Sequence, residues 1–209
     1  MNMNVSQVDM QGLMNRLMRL ARLDTTVFDE VRLDASATVP SVIVAAASTF
    51  LAGLGGLLYW VITLDLPRGA DRGTGEFFLK STIMGSIFAI ALWIAWVLIA
   101  YVVLTQVFRA QSDPQQLVRT MGMAAAPLAL TVLMFIPAIS FGIGLASVAL
   151  FFGLSVMATQ AATNASASQV LVASAAGFAV WAIVLAILAG NGGPGTFAPG
   201  FMIFAAGTG

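Results

Sequence analysis

From Thr120 to Gly209 no side chain carries a charge, and that constrains the fold more than any motif does. All nine basic and nine acidic residues lie between Asp9 and Arg119. A soluble domain keeps about 25% charged residues so that its surface stays wet. Here 9% of 209 residues are charged and 59% are hydrophobic, with mean hydropathy +0.95. The apolar residues come in blocks that reach the roughly 20 residues needed to cross the hydrocarbon layer. The expected fold is an all-α polytopic membrane helix bundle of five transmembrane spans, preceded by an amphipathic interfacial helix.

What is missing narrows the chemistry. The chain has no cysteine and no histidine. Disulfides, thiol catalysis and every histidine-based metal or haem site are thereby excluded. Net charge is zero, so nothing draws the chain as a whole to nucleic acid. No secretory signal peptide is visible, and the first apolar block begins near Val39 behind a charged segment. The first span is expected to act as its own insertion signal.

Residues 1–8 are polar. From Asp9 the spacing predicts a helix with Met10, Leu13, Met14, Leu17, Leu20 and Ala21 on one stripe. Asn15, Arg16, Arg19 and Arg22 fall on the other side, an arrangement suited to the lipid–water interface or to packing on the protein's own loops. Arg16, Arg19 and Arg22 are the expected contacts to lipid headgroups. Asp24, Thr25 and Thr26 offer caps for a short second helix with Val27, Phe28 and Val31 apolar and Asp29 and Glu30 exposed. Residues 1–35 thus form an N-terminal region ahead of a five-span domain, 36–189.

The spans fall at about 39–64, 81–108, 117–136, 140–159 and 170–188. Small residues at close-approach spacing mark expected helix contacts, within the bundle or against a partner. They are Ser48, Ala52 and Gly56 in the first span, Gly122 and Ala126 in the third, Gly142 and Ala146 in the fourth, and Ala173 and Gly177 in the fifth. Pro127 predicts a kink in the third span. The turn between the third and fourth spans is very short, so those two are expected to be antiparallel neighbours. Trp93, Trp96, Trp181 and the methionines could line a pigment or quinone groove, but the ordinary expectation for such residues is that they face lipid. The glycine-rich tail, 190–209, is too broken for a sixth span. Phe197, Phe201, Met202, Ile203 and Phe204 leave it as either a disordered tail or a docking peptide.

Charge sets the orientation. Arg16, Arg19, Arg22, Arg32, Arg109 and Arg119 lie on one side of the predicted bundle, with Arg68, Arg72 and Lys80 on the other. The positive-inside rule places the N-terminus in the cytoplasm and, with five spans, the tail outside.

The order of elements resembles a known family. A short amphipathic helix is followed by Thr-Val-Phe-Asp-Glu-Val at 26–31 and a first span containing Gly53-Leu-Gly-Gly56-Leu-Leu. Arg-Thr-Met-Gly-Met-Ala-Ala-Ala-Pro-Leu, from Arg119 to Leu128, then opens the third span. Over roughly residues 20–190 this is similar to the Yip-domain (Ypt-interacting protein) membrane family in a bacterial version. The resemblance implies five spans and a cytoplasmic N-terminus; in eukaryotes it implies membrane shaping and recruitment of small GTPases. The acidic-Leu-Tyr-Gly-Pro motif of the eukaryotic members is absent, and their Gly-Tyr pair reads Gly122-Met123. Only structural roles for Gly122 and Pro127 carry over.

Chemistry is sparse. Asp65, Asp71 and Glu76 are interleaved with Arg68 and Arg72, which reads as a solvated loop. Asp29 and Glu30 are adjacent and diverge by about 100° on a helix. No catalytic residue, metal site or cofactor is expected. The expected function is that of a non-enzymatic scaffold or assembly component of the bacterial cytoplasmic membrane, contacting lipid and a membrane-protein partner or a second copy. Two alternatives stand beside it. One is a small-solute channel or permease, lined by Ser140, Ser147, Ser155 and Thr159. The other is an accessory subunit of a larger membrane complex.

Overall fold

The computed structural model describes residues 9–63 and 78–192. Residues 1–8, the charged loop 65–76 and the tail from 193 onward lie outside the described residues. All named elements are helical. α1 spans Met10–Ala21 and α2 Val27–Leu33; a 3₁₀ turn, Ala35–Ala37, leads into α3, Thr38–Thr63. α4, Gly85–Val102, is flanked by π-helical stretches at Phe78–Met84 and Val103–Val107. α5, Pro114–Ala124, passes into a 3₁₀ segment, Ala126–Phe135. α6 covers Ser140–Ala161 and α7 Ala167–Gly192. The last helix therefore runs beyond the 188 expected from hydropathy.

Five of these helical stretches are long and apolar enough to cross a membrane: Ala35–Tyr59, Thr82–Val107, Pro114–Phe135, Ser140–Ala161 and Ala167–Ile187. The all-α five-span bundle expected from the sequence is the architecture observed. Large apolar side chains such as Ile87, Leu98, Phe141, Val172 and Ile183 stand exposed on the outer faces. An apolar exterior of this extent suggests a membrane location.

Local rules explain the helix ends. Asp9 accepts a hydrogen bond from the Gly12 N–H (3.0 Å), and Asp113 accepts one from Gln115 (2.8 Å) with Pro114 at the first helical position. α1 closes with paired bonds, Leu23 N–H to the Leu20 carbonyl and Asp24 N–H to the Arg19 carbonyl. That closure needs a left-handed residue, normally glycine, and here Leu23 supplies it with φ 59°.

The third span sits at the centre. Of its apolar window 61% is buried, against 33% for the second and fifth spans. Its 3₁₀ segment packs between α3 and α6, while α4 pairs with α7. Pro127 lacks an N–H and crowds the carbonyl four residues back. The kink expected there is expressed as a change of helix type, and the resulting ten-residue 3₁₀ stretch is unusually long.

At the interior, the expectation for the tryptophans is corrected. Trp93, Trp96 and Trp181 are buried (4%, 0% and 2% exposed) rather than turned to lipid. Trp96 meets Phe151 at 4.9 Å, Phe178 at 5.3 Å and Trp181 at 6.1 Å between ring centroids. These rings tie α4, α6 and α7 together, a geometry worth about 0.5–1.5 kcal/mol per pair beyond burial alone.

Candidate functional site

Among the described residues, every charged residue except Lys80 belongs to α1, α2, the turns beside them, or the turn and helix from Arg109 to Arg119, and these lie at the end of the bundle where α1 and α2 fold over the spans. Val27, Phe28 and Val31 of α2 are fully buried against α5 and α6, so the short helix is pinned. Asp29 and Glu30 remain exposed, as their placement on α2 predicts.

Two of the three arginines expected on lipid headgroups are taken up by the protein itself. Arg16 pairs with Asp34 at 2.7 Å. Arg19 bridges Asp24 and Glu30, each at 2.8 Å, and donates to the Thr26 hydroxyl at 2.9 Å. The Asp24 carboxyl is held at about 2, first by the Thr26 hydroxyl and next by the Arg19 guanidinium. Asp34 lies below the usual carboxylate range because the Ser36 hydroxyl, then Arg16, hydrogen-bonds its charged form. Asp24 and Glu30 in turn raise Arg19. Arg22 alone of the three makes no ion pair among the described residues, and it is exposed. Tertiary pairing across the α1–α2 turn thus engages Arg16 and Arg19 within the protein and leaves Arg22 outside that network.

The apolar stripe of α1 divides in the same way. Leu13 and Leu20 are buried and Leu17 packs beside them. Met10, Met14 and Met18 point outward with 64%, 54% and 48% of their surface exposed. α1 therefore has an inner leucine edge and an outer methionine edge.

Arg119 was foreseen only as a charge at the mouth of the third span. It is buried (8% exposed), with no carboxylate partner among the described residues. Its Nε–H donates to the Thr38 hydroxyl at 2.7 Å, while its other nitrogens donate to the Arg32 carbonyl at 3.0 Å and to Gln115 at 3.3 Å. The guanidinium thus joins α2, α3 and α5. At the same end, the Gln111 N–H donates to Asn164 (2.8 Å) and the Thr163 hydroxyl donates back to the Gln111 carbonyl (2.9 Å). These bonds clasp the two polar turns.

The predicted packing residues separate into two groups. Ser48, Ala52 and Gly56 are buried on α3. A Cβ on Gly122 would fall 2.6 Å from the Ser41 carbonyl oxygen, and one on Gly177 would strike the Trp96 indole. Ala173 is buried beside Leu104 and Val170. Ala126 and Pro127 are half-buried. Gly142 and Ala146 differ: both are exposed, and a Cβ on Gly142 would meet nothing within 4 Å. Of the two packings expected of this pair, within the bundle or against a partner, the described residues do not make the first, because α6 turns that face outward. With Ala149 and Gly153, also exposed, they form a small-residue stripe along the outside of α6. Spacing did not reveal Gly55, whose Cβ would sit 2.8 Å from the Val132 backbone.

Of the four hydroxyls proposed to line a solute path, two turn onto their own helix, Ser140 turns onto the preceding turn, and the buried Ser155 hydroxyl has no hydrogen-bond partner among the described residues. Ser140 donates to the Pro137 carbonyl, Ser147 to Ile143 and Thr159 to Ser155. Among the described residues no group of three metal-ligating side chains converges. Comparison with protein-family models, curated proteins and solved structures finds no match to this chain.

Proposed function

We propose that this chain is a non-enzymatic multi-pass membrane protein that works by contact, as a scaffold or assembly component. The carrying observation is the outer face of α6. Gly142, Ala146, Ala149 and Gly153 present a flat strip of backbone that nothing in the described chain covers. In lipid, helices associate through small residues that let backbones approach closely. The outward strip fits a helix of a membrane partner or of a second copy.

The orientation belongs to the same proposal. The α1–α2 end carries the arginine majority, which favours the cytoplasm, and the tail then lies outside. A bacterial cytoplasmic membrane and kinship with the Yip-domain family complete the reading, supported by the motifs quoted above. Participation as an accessory subunit would use the same strip.

Co-purification in mild detergent tests this. The wild type is expected to migrate with a partner or as a dimer, and Gly142→Ile with Ala146→Ile to run alone at unchanged thermal stability. A wild-type monomer without partner, together with solute flux into proteoliposomes, would replace the scaffold by a permease.

A further inference from the structure

Beneath α1 lies a space that no side chain of the described residues fills. Leu13, Leu17 and Leu20 roof it; Ala47 of α3, Leu130 of the 3₁₀ segment and Leu150 of α6 contribute to its walls. Its volume is about 610 Å³, and among the described residues Ser48 is the one polar side chain lining it. Liquid water takes roughly 30 Å³ per molecule, and a trapped water needs about two to four polar partners. One hydroxyl cannot hold water throughout such a space. Left empty, its walls would forgo dispersion contacts along their whole length. The occupant is therefore apolar.

Its nature follows from where the space opens and from the charge that neighbours its lining residues in the chain. Leu130 is 46% and Leu150 38% exposed, so the space is a groove open along the outer faces of the spans. On the membrane reading above, on which this inference rests, that side faces acyl chains. In the chain, Arg22 lies between the lining residues Ala21 and Leu23, and this residue at the end of α1 has no ion pair among the described residues. Leu23 keeps its side chain at the groove in a left-handed conformation that branched residues avoid. We propose that the groove holds one acyl chain of an anionic phospholipid, with Arg22 at the headgroup.

The test uses the full chain in vesicles of equal phosphatidylglycerol and phosphatidylcholine, extracted in mild detergent and weighed by native mass spectrometry. One retained phospholipid per chain is expected, with phosphatidylglycerol favoured at least fivefold. Arg22→Gln is expected to bring that ratio close to one. Ala47→Phe, which fills the groove, should cut retention at least tenfold; if its helical circular dichroism is lost, Ala129→Phe fills the same space from the opposite wall. Unchanged retention in a folded groove-filled variant, an unchanged ratio in Arg22→Gln, or a dimer split by groove filling would each overturn the proposal. Flotation of the same vesicles separates the two readings. A chain that floats but retains no lipid sinks the groove alone, whereas a chain that does not float sinks the membrane reading beneath it.

Discussion

Arg119 and Thr38, eighty-one residues apart, are joined by a 2.7 Å hydrogen bond from the guanidinium Nε–H to the hydroxyl oxygen. The bond lies where α2 turns into the first span, and the same guanidinium also holds the Arg32 carbonyl. Removing this buried cation would leave the Thr38 hydroxyl and the Arg32 carbonyl without the donor each now has. Arg119→Met keeps the apolar stem and removes the donors. The expected cost is about 2–3 kcal/mol, since hydrogen bonds to charged groups leave costly orphans when broken. Arg119→Lys should lose nearly as much, because an ammonium cannot reproduce the planar fork. Thermal unfolding in detergent micelles measures both.

The glycines yield a contrast within one residue type. Gly122→Ala places a methyl 2.6 Å from the Ser41 carbonyl, and the two backbones must part to admit it. Overpacking of this kind costs about 1–3 kcal/mol. Gly153→Ala meets nothing within 4 Å. Helix propensity then favours alanine by up to about 1 kcal/mol, so this variant should melt no lower than the wild type. Equal melting shifts for the two would contradict the packing described.

Acid should loosen the α1–α2 end before the spans. The Asp24 carboxyl is held at about 2 in the folded chain, against an ordinary 3.8. A carboxyl whose pKa falls on folding stabilises the fold fully above its unfolded value, and that contribution is lost as pH drops through the folded value. The tie to Thr26 and Arg19 should therefore persist at pH 5 and weaken between about pH 4 and 2. Asp34 shifts in the same direction and adds to the effect. The chain has no cysteine, so spin labels at Met10→Cys and Leu33→Cys report the distance cleanly. Their distribution should broaden over that range and stay narrow in the pH 5 reference.

How much of this the sequence showed depended on whether a feature was local. Span number follows from the length of apolar runs, so it could be read directly, whereas the Asp113-Pro114 cap starts α5 ahead of the expected 117. Gly122 and Gly177 were visible as small residues at close spacing. Gly142 and Ala146 carry the same spacing yet face outward, because a spacing marks a flat face without naming its neighbour. Arg16 and Arg19 looked free for lipid until the α1–α2 turn brought Asp34, Asp24 and Glu30 to them. Pro127 signalled an interruption, but not that ten residues of 3₁₀ helix would follow. The groove under α1 depends on four segments at once, and no local pattern encodes it.

Gly177 and Trp96 allow the interior to be tested by a cycle rather than a single loss. A Cβ on Gly177 would strike the indole and lie 2.8 Å from the Trp96 carbonyl oxygen. Gly177→Ala alone should therefore cost about 1–3 kcal/mol. Trp96→Ala alone should cost about 3–5 kcal/mol, because it empties the centre of the aromatic cluster. Together the two should cost less than their sum by about 1 kcal/mol, since the methyl enters space the indole has left. Relief stays partial because the carbonyl belongs to the backbone and remains after the ring is gone. Strict additivity would mean that α4 and α7 part at Gly177 whether or not the ring is present, and that the indole does not set their separation.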